Sequence, residues 1–553
     1  NMVVFNIYEF YPVPEVTLTS LHTIKEMLLD HIDIQSENIY SIDASIEKDL
    51  IAEKCEEFEQ KLQQMGGLDY LLLGLGGKGN IAFNMPGSNL HSQTRLVILD
   101  GDSVEKVPGS AITMGIADLM DAKKISLIAW GEQKADSIKE MVEGSVTEAM
   151  PASVLQTHPE VEVFVDLDAA KDLTRISKPW LVTACEWDSK LIRRAIVWLC
   201  EMVQKPILKL TNKDYNENGL SELVALYGSA YNVNIKIFND LQHTITGCPG
   251  GKPNADDSNR PERAKPYPKK VIIFSPHPDD DVISMGGTFQ RLVNQGHEVH
   301  VAYQTSGNIA VGDEEVIRYA SVFKHFVKEF DPENAKARAT VNEILKFLME
   351  TKTSEDIDTP EARFLKGRIR REEAMSAVRY VGLQAGNVHY LDLPFYETGR
   401  VKKDPISVKD VEIVKDLIES IKPHQIYVAG DLADPHGTHK VCLDAILAAI
   451  DIMKDEAWYE DCRVWMYRGA WMEWEIDHIE MAVPISPEEL RSKRNAILRH
   501  QSQMESAPFL GDDERLFWQR SEERNRATAE MYRKLGLASY EAIEAFVEYK
   551  PIR

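Results

Sequence analysis

Short runs of aliphatic and β-branched residues alternate with segments of helical period along most of this chain. That alternation constrains the fold more than any other feature, because strands separated by helices pair into a parallel sheet with helices on its faces. In residues 1 to about 175, "MVVFNI", "LDYLLLGLG", "KKISLIAWG" and "VEVFVDL" predict strands. Between them lie patterns such as "EKDLIAEKCEEFEQKLQQMGG", with apolar residues at helical spacing and a glycine stop. The rhythm restarts at 269 with the strand "KKVIIFS", the helix "VISMGGTFQRLVNQG" and the strand "HEVHVAYQTS". It continues through "RREEAMSAVRYVG", "NVHYLDL", "VKDVEIVKDLIESI" and "HQIYVAG".

Residues 176–268 read as a connecting α/β segment, with "PWLVTACEW", "PILKLT" and "NVNIKIF" as strands and "SKLIRRAIVWLCEMVQ" as a helix. The segment ends in "CPGGKPNADDSNRPERAKPYP", too rich in Pro, Gly and charge to build a core, and therefore a linker or surface strap. The expected fold is α/β, with two Rossmann-like parallel-sheet domains, 1–175 and 269–553, joined by the further α/β segment and the strap. The charged stretch 311–368 reads as a helical insertion or lid.

The 553 residues carry a formal charge of −25, which argues against non-specific attraction to nucleic acid or anionic lipid. Six scattered cysteines form no Cys-x-x-Cys pair, so neither a disulfide framework nor a zinc ribbon is indicated, and a reducing cytoplasm is the simplest compartment. No apolar run approaches the roughly 20 residues needed to span a bilayer. The opening "NMVVFNIYEF" lacks a basic n-region and starts inside a strand-like run, so the N-terminus reads as incomplete.

"FSPHPDDDVISMGG" concentrates His277, Asp279, Asp280 and Asp281 behind an apolar run. Ligands of open α/β sheets bind beyond the carboxyl ends of strands, which is where this turn falls. "HQIYVAG" likewise runs into "DLADPHGTHK", with His436 and His439 ahead of a helical stretch. Two strand ends can therefore bring His277, one aspartate and one or both late histidines to a common point. Such a donor set suits Zn²⁺ with an open position, and a divalent cation would offset the repulsion among the carboxylates. Fe²⁺ or another divalent metal is compatible with the same donors. The plainer reading of an Asp-rich turn is helix capping, and of His-x-x-His a surface pair.

The stretch "SPHPDDDVISMGGTFQRLVNQGHEVHVAYQTSG" resembles the opening of the PIG-L/LmbE family of metal-dependent N-acetyl-sugar deacetylases. "DPHGTHK" resembles that family's later His-x-x-His element, and "RREEAMSAVRYVGL" its Arg-x-x-Glu helix through Arg370, Glu373 and Gly382. By position, the resemblance implies His277, Asp280 and His439 as metal ligands, Asp279 as general base, and His436 as the group that polarises the carbonyl or stabilises the oxyanion. Arg370 would support substrate binding, with Glu373 and Asp281 behind these groups. Asp281 stands where the family usually has glutamate, one methylene shorter with the charge kept.

Upstream, "VVFNIYEF", "GLGGKGNIAFNMPGS" and "ITMGIADLMDAKKISLIAWGEQKADSIKEMVEGSV" resemble glucosamine-6-phosphate deaminase. That family's acids and bases are replaced here by Tyr8, Lys78, Asn80 and Met85, whereas Glu9 persists and Lys134 matches a phosphate-contacting lysine. Isomerising deamination needs a positioned base and acid, which Tyr and Asn cannot readily supply near neutrality. The Gly-rich loop could cradle phosphate or could be a tight turn with close backbone packing.

The two resemblances together imply amino-sugar metabolism: a cytoplasmic zinc-dependent deacetylase fused to a deaminase-like domain without its chemistry. The expected partners are an N-acetylated amino sugar or its phosphate, and further copies of the chain in a homo-oligomer. The alternatives are a non-catalytic amino-sugar-phosphate binding protein and an active deaminase. His500 and Gln503 could close the pocket or simply pack.

Overall fold

The computed structural model describes residues 2–13, 19–99, 109–254, 263–353, 356–400, 403–432, 437–504 and 515–550. The chain forms two compact units, Asn1–Cys185 and Glu186–Arg553.

In the first unit the four expected strands are present, as β1 (Val4–Phe5), β4 (Leu71–Gly74), β7 (Ile125–Ala129) and β8 (Val161–Val165). β4, β7 and β8 form a parallel sheet in that order, and β1 pairs in parallel with β3 (Ile39–Tyr40). A second, antiparallel sheet of β2 (Tyr8–Tyr11), β6 (Ser110–Thr113) and β5 (Arg95–Ile98) was not expected. Its strands have four residues each, too few for a period to stand out. The helix Ile51–Gln64 turns Ile51, Cys55, Phe58 and Leu62 inward against Leu71, Leu73, Ile125 and Leu127.

The second unit starts with the expected helix, Ser189–Val203, and continues with helical turns where strands were expected. "NVNIKIF" lies in the helix Ala230–Gln242, and "PILKLT" holds only the 3-10 turn Ile207–Lys209. Val233, Ile235 and Ile237 alternate like a strand, but the longer pattern decides. Val233, Ile237 and Leu241 recur every four residues and are buried, and the Ser229 side chain caps the first turn. These helices belong to the same compact unit as the sheet that follows. Arg194 Nε pairs with Asp477 at 2.8 Å, and the Thr244 and Tyr532 hydroxyls meet at 2.8 Å.

That sheet has seven strands: β9 (Lys270–Ser275), β10 (Glu298–Tyr303), β11 (Val388–Tyr390), β12 (Gln425–Ala429), β13 (Arg463–Tyr467), β14 (Met481–Ile485) and β15 (Ala542–Tyr549). The order is β11-β10-β9-β12-β13-β15-β14, parallel through β13 and antiparallel beyond. The direction of winding reverses between β9 and β12, which leaves a crevice beyond their carboxyl ends. Alternate residues of β9 feed two cores. Val271 and Ile273 pack with the helices Asp280–Asn294 and Pro360–Val381, whereas Ile272 and Phe274 pack with Val408–Ile421 and Thr438–Met453.

The stretch 311–368 is helical as expected, with Asp313–Phe330, Ala335–Lys346 and the start of Pro360–Val381 around a small core of Val316, Ala320, Val341, Ile344 and Ile369. Lys352 and Lys366 each pair with both Asp313 and Asp358 at 2.7 Å, tying its ends together. Among the described residues no helix is long and apolar enough to cross a membrane.

Candidate metal centre and active site

The chain leaves β9 at Ser275, turns through Pro276–Asp279 and enters a helix at Asp280. The turn aims His277 and Asp280 at one point: the His277 Nδ1 to Asp280 Oδ2 distance is 3.2 Å. From the neighbouring strand end, His439 Nε2 reaches the same oxygen at 3.2 Å. One donor atom from each of His277, Asp280 and His439 lies within 4.8 Å of the other two. The other ring nitrogen of His439, Nδ1, donates to the Asp431 carbonyl oxygen at 2.8 Å, so a neutral ring carries its proton there and turns Nε2 toward Asp280. Asp431 is itself held by the backbone N–H groups of Trp471 and Met472 on its Oδ2.

The three aspartates are in different environments. Burial alone would raise the Asp280 carboxyl, but the charge of His439 and hydrogen bonds from both imidazoles hold it well below the usual range. Asp279 is raised by burial, against the opposing pull of Arg370, whose Nη2 lies 3.0 Å from Asp279 Oδ1. Asp281 sits behind the site, accepting from the Tyr303 hydroxyl at 3.0 Å and from the Ser275 hydroxyl at 3.4 Å. Burial pushes it up to about 7.

The helix carrying Asp280 and Asp281 is interrupted at Met285, where φ is −135°. The N–H groups freed at Gly287 and Thr288 donate to the two carboxylate oxygens of Glu544, at 3.0 and 2.6 Å. Lys493, fully buried, neutralises Glu544 at 2.8 Å. Gly287 permits the close approach, since a Cβ there would come within 2.7 Å of Ile485 Cδ1.

Other expected residues are placed as follows. Arg370 is buried, and its guanidinium lies on Asp279. Glu373 accepts from the N–H and hydroxyl of Ser502, both at 2.7 Å, and so anchors the turn that carries His500 and Gln503. Gln503 Nε2 donates to the Ala310 carbonyl. His500 is 1% exposed, and among the described residues neither ring nitrogen has a partner. Burial and Arg370 lower it to about 3, which keeps the ring neutral. His436 lies outside the described residues. Asp431, Tyr303 and Ser275 were missed by the sequence reading; Asp431 opens the "DLADPHGTHK" run, a signal that was available.

In the first unit, Lys134 ends the 3-10 turn Glu132–Lys134, half-buried, and burial lowers its pKa. Glu9 is spent on structure: its carboxylate accepts the N–H groups of Ser20 and Leu21 at the start of the helix Ser20–Met27. Tyr8 packs edge-on against Phe83 with ring centroids 4.5 Å apart, and Asn80 donates to the Ala82 carbonyl. The Gly-rich loop is closely packed, with a Cβ on Gly76 meeting the Asn80 side chain and one on Gly79 meeting Met150.

Residues 272–450 match the family model described as PIG-L, GlcNAc-PI de-N-acetylase, and residues 13–164 match that of glucosamine-6-phosphate isomerases/6-phosphogluconolactonase. A glucosamine-6-phosphate deaminase-like protein of Bacteroides thetaiotaomicron is 63% identical over 570 positions, covering 100% of this chain and 85% of that relative. The glucosamine-6-phosphate deaminase of Oceanobacillus iheyensis is 38% identical over 185 residues, 32% of this chain and 73% of its own length. Among solved structures, N,N'-diacetylchitobiose deacetylase from Pyrococcus horikoshii matches 51% of this chain and 84% of its own at 18% identity, with a TM-score of 0.32. The chain belongs to the family of glucosamine-6-phosphate deaminase-like proteins, with a glucosamine-6-phosphate isomerase-type unit at its N-terminal end and a PIG-L-type unit after it.

Proposed function

We propose that the second unit is a metal-dependent N-deacetylase acting on the acetamide of an N-acetylglucosamine-type sugar or conjugate, and that the first unit has lost deaminase chemistry. The observation that carries the reading is Asp280 Oδ2 lying 3.2 Å from a nitrogen of each of two histidines, with the carboxylate of Asp279 on the adjacent residue. Two imidazole nitrogens and one carboxylate oxygen, gathered at a strand-end crevice, fit Zn²⁺ or Fe²⁺ with a position left for substrate. His277, Asp280 and His439 would hold the ion. When bound, it supplies Lewis acidity toward the acetamide oxygen.

The chain's own residues account for the proton transfers. Asp279 takes the proton of the attacking water on a carboxylate oxygen and returns it to the leaving amine, so one group serves as base and then acid. Arg370 orients Asp279 and keeps enough of it ionised, against burial, to act as the base. The Asp431 carbonyl holds His439 in one tautomer. His436 is assigned to the developing oxyanion. The products are acetate and a free amino sugar.

For the first unit, the support is Tyr8, Lys78, Asn80 and Met85 at the positions where acids and bases are needed, with Glu9 committed to a helix start. Lys134 leaves it able to hold an amino-sugar phosphate without turning it over.

Metal analysis combined with acetate release from a panel of N-acetylated sugars and sugar phosphates tests the reading. One ion per chain and turnover of at least one amide are expected; a metal-replete chain that hydrolyses none would overturn it.

A further inference from the structure

The helix Asp313–Phe330 has two apolar faces, and among the described residues only one is packed against other parts of the chain. Val316 and Ala320 are buried in the small core of the insertion, and Val327 is buried on the same side of the helix. Tyr319, Val322, Phe323, Phe326 and Phe330 recur at helical spacing along the adjacent face and are exposed by 45, 65, 51, 56 and 73%. The rings form a continuous strip, with Phe326 5.0 Å from Phe330 and 6.5 Å from Phe323. A soluble surface does not ordinarily leave three phenylalanines, a tyrosine and a valine in one stripe, and such patches mark interaction sites.

We infer that this face is the contact through which two copies of the chain pair, the two helices lying antiparallel across a two-fold axis. The area fits that occupant. Aromatic side chains offer about 150–250 Å² each, so at these exposures the five residues present about 500–600 Å² per copy. Two copies then bury about 1,000–1,200 Å² from the stripe alone, at the threshold of a specific interface, and the flanking polar residues add to it.

The charge pattern fits the same occupant. Arg318 and Glu329, both exposed, stand eleven residues apart, about three turns, and so line the same edge of the stripe near opposite ends. In a two-fold contact residue i meets j and j meets i, so Arg318 of each copy meets Glu329 of the other. Arg318 also pairs with Glu315 of its own helix, which holds it at that edge. This inference is independent of the chemistry proposed for the metal centre.

The test is the molar mass of the full chain by light scattering coupled to gel filtration. The wild type should run as a dimer, and Phe323→Glu with Phe326→Glu should halve the mass with the far-ultraviolet circular dichroism unchanged. Arg318→Glu should raise the dissociation constant on the order of tenfold or more through like-charge contact with Glu329, and the swap Arg318→Glu with Glu329→Arg should restore it. The swap decides the matter even if the phenylalanine variant folds poorly. A wild type that stays at the mass of one chain, a folded phenylalanine variant of unchanged mass, or a swap that fails to restore pairing would overturn the inference.

Discussion

Arg370 Nη2 lies 3.0 Å from Asp279 Oδ1, and both side chains are almost inaccessible, at 1% and 8% exposure. A buried carboxylate beside a second carboxylate, Asp280, needs a fixed cation if it is to be ionised near neutral pH, and Arg370 is that cation.

Removing the guanidinium should therefore raise Asp279 further. Because the ionised form is the base, the acid limb of kcat/KM against pH should move to higher pH in Arg370→Met, with kcat at neutral pH falling by about 10- to 100-fold. The uncompensated charge should also lower stability by about 3–5 kcal/mol. A pH–rate profile with an unmoved acid limb would show that Arg370 acts elsewhere.

Glu544 and Lys493 hold the interrupted helix that presents Asp280, so breaking their pair should be costly far from the chemistry. Lys493→Met leaves Glu544 buried and charged, and should lose about 3–5 kcal/mol. Replacing both, as Lys493→Met with Glu544→Gln, should recover part of that loss, because no lone buried charge remains. Urea denaturation of both variants measures the difference.

The contribution of His297 to stability should fall with acid. His297 accepts the Lys269 N–H at the start of β9, and burial, helped by Lys269, lowers it to about 4, whereas in the unfolded chain it titrates near 6.5. Between these values the unfolded chain binds the extra proton, so this contribution is present above about pH 6.5 and is lost as pH falls toward 4. His500, buried and neutral, acts in the same direction. Asp281, raised to about 7 by burial, acts in the opposite direction over the same range, so the His297 share is read by difference: between pH 7 and pH 5 the urea midpoint of metal-free His297→Asn should change less unfavourably than that of metal-free wild type.

Strand ends and their cargo were legible in the sequence: "KKVIIFS" into His277 and the three aspartates, and "HQIYVAG" into the late histidine pair. Their meeting was not derivable from spacing, because it depends on β9 and β12 pairing across a winding reversal that no local pattern encodes. The contact of Arg370 with Asp279 and of Glu373 with Ser502 are tertiary in the same sense. The helix Ala230–Gln242 was misread from a seven-residue window, and the four-residue antiparallel strands of the first unit fall below the length at which a period shows.

The most direct measurement of the central claim is acetate release and metal content determined on the same samples of wild type, Asp279→Asn and His439→Ala. The account expects one ion per chain in wild type and Asp279→Asn, turnover reduced by about 10²- to 10⁴-fold in Asp279→Asn, and loss of both ion and turnover in His439→Ala. Undiminished acetate release from Asp279→Asn, or from wild type stripped of metal, would contradict it.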